Sequence, residues 1–142
     1  MAGVWKYYYR AVDKEGHTID FLLTAKRDKR AALRFLRQAI RNNCTPVKIN
    51  IDKSGSNTSA IKAYNDEAGT KIEIRQCKYL NNIVEQSHRP VKLKTRVALG
   101  FKAFHSAHAT LQGVEVVQMI RKGQVRPVSE GSFIDQFNSL AA

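Results

Sequence analysis

The feature that most constrains this chain is a double change of period between residues 47 and 75. Val47-Lys48-Ile49-Asn50-Ile51 alternates apolar and polar positions, as a half-buried strand does, and Lys71-Ile72-Glu73-Ile74-Arg75 alternates again. Between them, Asn57 or Thr58 can cap a short helix that carries Ile61 and Tyr64 and that Gly69 terminates. Two strands joined by a helix are normally parallel, so the unit is β-α-β and the loops after Ile51 and Arg75 lie at one edge of the sheet. In open α/β sheets the carboxyl edge is where ligands bind. Asp52 stands there, where the first strand gives way to the loop Lys53-Ser54-Gly55-Ser56-Asn57.

Upstream, Trp5, Tyr7, Tyr9 and Ala11 alternate with Lys6, Tyr8 and Arg10, and the cluster Asp13-Lys14-Glu15-Gly16 leads into a β-type run from Thr18 to Thr24. This pattern predicts an antiparallel hairpin. From Asp28 to Arg41 the period is helical, with Ala32, Leu33, Leu36, Ala39 and Ile40 on one side and Arg30, Arg34, Arg37 and Arg41 on the other. Downstream, helix is expected from about Leu80 past Glu85 and on to about Ile120, interrupted at Pro90 and Gly100. At Pro90 the pattern leaves two outcomes open, a bend in a continuing helix or a stop near Arg89. The expected organisation is one α/β domain over residues 1–124 and a tail over 125–142.

Charge narrows the function. Among 142 residues, 24 Lys and Arg face 12 Asp and Glu, a net charge of +12. Such an excess marks a polyanion binder, with nucleic acid the default partner. No stretch approaches the roughly 20 apolar residues of a membrane span, and the N-terminal residues lack the pattern of a secretory signal, so the expectation is a cytoplasmic protein. Cys44 and Cys77 fall outside zinc-site spacings and suit a reducing compartment. A membrane-surface binder using the Arg30 row is a further reading of the same charge.

Two carboxylates are the candidate catalytic and metal-ligating residues: Asp52 at the edge, and Glu85 on the helix that follows the next parallel strand. Hard divalent cations take carboxylate oxygens and can clamp the oxygens of a phosphodiester displacement. The ordinary roles of such residues are a turn cap for Asp52 and a solvated face for Glu85. Between Glu85 and Glu115 there is no acidic residue, whereas Arg89, Lys92, Lys94, Arg96 and Lys102 can lie along a phosphate backbone or simply be solvated. His88 shares a helix face with Glu85 and could orient a phosphate. His105 and His108 share a face without a third ligand.

The run Tyr79-Leu-Asn-Asn-Ile-Val-Glu-Gln-Ser-His-Arg89 resembles the segment around the catalytic glutamate of bacterial insertion-sequence transposases of the DDE class. Tyr9-Arg-Ala-Val-Asp13, Ile19 to Asp28, Leu99-Gly-Phe-Lys102 and Met119-Ile-Arg-Lys-Gly-Gln124 extend the resemblance, in order, over roughly residues 5 to 124, to the insertion-sequence-six type. The resemblance implies an RNase H-like, retroviral-integrase-like core, a mixed sheet flanked by helices. It also implies Mg2+-dependent DNA cleavage and strand transfer, with Mn2+ as substitute, by a nucleoid-associated bacterial protein. It puts the family's second aspartate on Asp52 and its glutamate on Glu85, with His88 and Arg89 supporting phosphate. Ser87 stands where the family usually has an acidic residue.

The family's first aspartate belongs to a strand preceding the Trp5 hairpin, and the sequence begins with Met1-Ala2-Gly3 just beyond it. A core with its first strand missing is therefore expected, with weak or absent metal binding and impaired activity. Direct pairing of the hairpin with the Ile49 strand, or a strand donated by a second copy in a homodimer, would fill the gap. Asp13 and Asp20 are poor substitutes, since neither obviously reaches Asp52. The alternative function is a non-catalytic, sequence-independent DNA-binding or oligomerising remnant. No small-molecule substrate is expected.

Overall fold

The computed structural model describes residues 5–77, 82–97 and 101–125. The expected helix start at Leu80, the Gly100 interruption and nearly all of the tail lie outside the described residues. Along the chain run β1 (Tyr7–Val12), β2 (Thr18–Thr24), α1 (Lys29–Asn42), β3 (Lys48–Ile51), α2 (Gly55–Ala68), β4 (Glu73–Gln76), α3 (Asn82–Val97) and α4 (Phe104–Arg121). The chain divides into two compact units, residues 1–86 and 87–142.

In the first unit β1 and β2 form the expected antiparallel hairpin, with Tyr9 opposite Leu22 and an irregularity between Ala11 and Val12. The turn is held by Asp13, whose Oδ1 accepts from the N–H groups of Glu15 at 2.9 Å and His17 at 2.8 Å. Gly16 supplies a positive φ of 84° that a side chain would resist. Helix α1 starts at the Asp28 cap, which accepts from the Ala31 N–H at 2.8 Å. Its apolar side buries Ala32 and Ala39, while Phe35 meets the Tyr9 ring with centroids 5.6 Å apart. Buried Asp20 of β2 pins this helix by accepting from Gln38 Nε2 at 2.9 Å and Asn42 Nδ2 at 3.1 Å.

Strands β3 and β4 pair in parallel, Ile49 opposite Ile74, with α2 as the crossover. The boundaries of this unit differ from expectation because polar side chains serve elsewhere. Ser54 is the N-cap of α2, not Asn57 or Thr58: the Asn57 amide reaches Asp52, and the Thr58 hydroxyl donates to the Ser54 carbonyl. Strand β4 starts at Glu73 because Asn65 claims the Ile72 backbone, accepting its N–H at 3.0 Å and donating to its carbonyl at 3.1 Å. Gly69 ends α2 in the left-handed region, as expected.

Among the described residues the strands form two separate two-stranded sheets, β1-β2 and β3-β4, so the expected single mixed sheet and the direct pairing of hairpin with β3 are not seen. Helices join the two instead: α1 packs against β2 and α2. The small residues Ala32, Ala39 and Ala60 are buried, and Arg37 of α1 forms an ion pair with Glu67 of α2. Arg37 therefore leaves the free arginine row; Arg30, Arg34 and Arg41 remain exposed.

In the second unit Val91 of α3 and Ala107, Leu111 and Ile120 of α4 are buried. Helix α3 runs through Pro90 to Val97, so of the two outcomes left open at this proline the stop near Arg89 is excluded; the proline removes one backbone donor without ending the helix. Ser87 Oγ accepts from Lys122 Nζ at 2.7 Å. Glu115, the first acid after Glu85, is fully buried on α4. Among the described residues no helix is long and apolar enough to cross a membrane.

Candidate active site

The parallel register of β3 and β4 brings their carboxyl ends to one edge, and side chains tie that edge together. The Cys77 N–H donates to the Ile51 carbonyl at 3.2 Å, and Gln76 Nε2 donates to Thr58 Oγ1, in the first turns of α2, at 2.9 Å. Asp52 follows Ile51 directly. Its Oδ1 accepts from the Ser54 N–H at 3.2 Å and from Asn57 Nδ2 at 3.4 Å, an Asx turn that fixes the carboxylate plane. Its Oδ2 accepts from Arg27 Nη2 at 3.1 Å.

Arg27 lies in the link between β2 and α1, and that link is constrained on both sides. Thr24 Oγ1 donates to the Lys26 carbonyl at 2.7 Å, and Asp28 begins α1 as its cap. Nearby, the Tyr9 hydroxyl is buried with no hydrogen-bond partner among the described residues. Burial pushes the Tyr9 phenol above its ordinary range; Arg27 opposes this, and Asp28 and Asp52 add to it. Neither Arg27 nor Tyr9 is singled out by the sequence pattern, since each reaches Asp52's surroundings only through packing of the hairpin beside the β-α-β unit.

Glu85 is exposed in the first turn of α3 and is not among the groups in hydrogen-bond contact with Asp52. His88 is half-buried, and Arg89, Lys92, Lys94 and Arg96 are exposed along the same helix. By helical spacing Arg89, Lys92 and Arg96 fall on one face, at i, i+3 and i+7, while Lys94 falls on another. Lys102 is exposed just before α4.

One cluster was missed by sequence reasoning: donor atoms of Asp13, Glu15 and His17 lie within 4.8 Å of one another in the hairpin turn. The signal is their alternate spacing across a tight turn. Both Asp13 oxygens are already engaged, one by two backbone N–H groups and the other by His17 Nδ1 at 3.0 Å. Burial raises the Asp13 carboxyl, but the His17 N–H, the His17 ring and the Glu15 N–H outweigh it and hold it below its ordinary range. Asp20 is likewise engaged by the Phe21 N–H and by Gln38 and Asn42. Half-exposed Asp52 and exposed Glu85 also carry hard carboxylate oxygens of the kind a divalent cation takes; both Asp52 oxygens are engaged as well, by Ser54, Asn57 and Arg27, and among the described residues no hydrogen bond joins Asp52 to Glu85.

The first unit is an α/β arrangement with Asp52 at its sheet edge, and α3 carries exposed basic side chains from Arg89 to Arg96. The family model for the DDE domain matches residues 1–124, and the chain belongs to that family, as an insertion-sequence-six-type DDE transposase sequence. It is 36% identical over 127 residues to the transposase for insertion sequence-like element IS431mec of Staphylococcus aureus, covering 86% of this chain and 54% of that protein. The transposase for insertion sequence element IS257 in transposon Tn4003, also from Staphylococcus aureus, matches to the same extent. An uncharacterized protein of Yersinia pseudotuberculosis, pYV0051, is 37% identical over 62 residues, 42% of this chain and 58% of its own length. The chain thus spans about half the length of the Staphylococcus aureus relatives. No solved structure matches it.

Proposed function

We propose that this chain forms the catalytic core of a DNA transposase, an RNase H-like domain that cleaves and joins DNA phosphodiesters with Mg2+, on nucleoid DNA in the bacterial cytoplasm. The observation that carries the reading is the position of Asp52, at the carboxyl edge of a parallel β-α-β unit in a chain that matches the DDE domain. Asp52 and Glu85 would hold the metal, for which Mn2+ is the usual substitute. Magnesium, when bound, supplies Lewis-acid stabilisation of charge on phosphodiester oxygens. His88 and Arg89 orient the phosphate, and Lys92, Lys94, Arg96 and Lys102 neutralise the flanking backbone. The Asx turn at Asp52 keeps its carboxylate in one orientation for this task. Pairing of two copies belongs to the same reading.

The test is nicking of supercoiled plasmid by the purified chain in Mg2+ or Mn2+, beside Asp52→Asn and Glu85→Gln, with EDTA as control. Metal-dependent nicking, at whatever level the chain supports, that disappears in both variants would support the catalytic reading. Salt-dependent DNA binding without nicking would instead support the non-catalytic DNA-binding reading.

A further inference from the structure

Asp52 offers a cation only one oxygen that is not tied to its own loop, and in this structure that oxygen is taken. Oδ1 is committed to the Ser54 N–H and Asn57, whereas Oδ2 faces Arg27 Nη2 at 3.1 Å. The two partners are twenty-five residues apart in sequence and lie in segments that follow strands of different sheets, so the contact is not a by-product of a local turn. It is also well placed for exchange. The side chains of Arg27 and Asp52 are 48% and 46% exposed, and an ion pair in such surroundings is weak and readily replaced by another cation. The Oδ1 contacts do not involve Arg27, so the carboxylate keeps its orientation when the guanidinium leaves.

We infer that Arg27 is the resident counter-cation of Asp52, a positioning residue that a divalent cation must displace and that thereby sets the metal affinity of the site. This inference rests on the reading of Asp52 as a metal ligand. Arginine suits the role because its guanidinium is permanently charged, so exchange depends on the competing cation and not on pH near neutrality. The link that carries it is anchored at Thr24 and Asp28, which keeps the guanidinium near Asp52 for rebinding.

The experiment is a Mn2+ titration of the full chain followed by electron paramagnetic resonance of the free ion, on the unaltered protein, Arg27→Gln, Arg27→Lys and Asp52→Asn. Circular dichroism confirms that each variant folds. Arg27→Gln is expected to bind Mn2+ about two- to fivefold more tightly, the range that an exposed ion pair allows. Arg27→Lys, which restores a cation, should stay near the unaltered protein, and it keeps the test usable if the glutamine variant folds poorly. Equal or weaker Mn2+ binding in Arg27→Gln, alongside loss of binding in Asp52→Asn, would overturn the role of Arg27 while leaving Asp52 as a ligand. Unchanged binding in Asp52→Asn would remove Asp52 from the metal site and overturn both.

Discussion

Asp20 of β2 accepts hydrogen bonds from Gln38 and Asn42, one turn apart on α1, at 2.9 Å and 3.1 Å. A buried carboxylate is costly unless its lone pairs are met, and here amide donors meet them while locking the helix to the hairpin. Replacing Asp20 by Ala leaves the Gln38 and Asn42 amides without this acceptor. We expect a loss of about 1–3 kcal/mol in urea unfolding, with Asp20→Asn losing less because it retains one acceptor oxygen.

The Tyr9 hydroxyl shows the opposite situation, a buried group with no partner among the described residues. Deleting it removes an unsatisfied donor and keeps the ring contact with Phe35. Tyr9→Phe should be at least as stable as the unaltered chain in thermal melts. A loss greater than about 1 kcal/mol would show that the hydroxyl is bonded in solution.

The Asp13 turn should respond to acid. Because the folded state holds this carboxyl below its ordinary range, its contribution is complete above that range and is lost as pH falls through the lowered value. Unfolding of the unaltered chain and of Asp13→Asn, compared from pH 7 down into the acid region, should show the difference between them shrinking with falling pH. A difference that stays constant to the lowest pH would contradict the Asp13 hydrogen bonds.

Ser87 is 9% exposed and receives the Lys122 ammonium at 2.7 Å. An aspartate there would turn a neutral acceptor into a charged one. Ser87→Asp is expected to gain about 1 kcal/mol, a rise of a few degrees in Tm, through a charge-assisted bond to Lys122. No gain, or a loss, would mean that desolvation of the new carboxylate outweighs the pairing.

On α3 the DNA-binding reading predicts a face-dependent result. Replacing Arg89, Lys92 and Arg96 together by Gln should weaken binding to duplex DNA and lower the slope of log affinity against log salt by about 0.9 for each phosphate that is no longer neutralised. Lys94→Gln, on another face, should change the slope little. Fluorescence anisotropy over a salt series separates the two, and equal effects would argue against a single DNA-facing side of the helix.

Much of this molecule is local in origin and therefore legible in the residue order. Alternation in the Trp5 run, helical period after Asp28, and the strand, helix and Gly69 stop between Val47 and Arg75 each arise from backbone geometry within a few residues. Together they place Asp52 at the carboxyl end of a parallel pair. Tertiary structure decided the rest: Arg27 on Asp52, Gln38 and Asn42 on Asp20, the burial of Glu115, and the use of Asn65 to delay β4 until Glu73. It also decided that helices and not a shared ladder join the two sheets, and that α3 continues through Pro90. Polar side chains are the common element, because a carboxylate or amide satisfies its hydrogen bonds with whichever donor packing brings near, and residue order does not encode that choice.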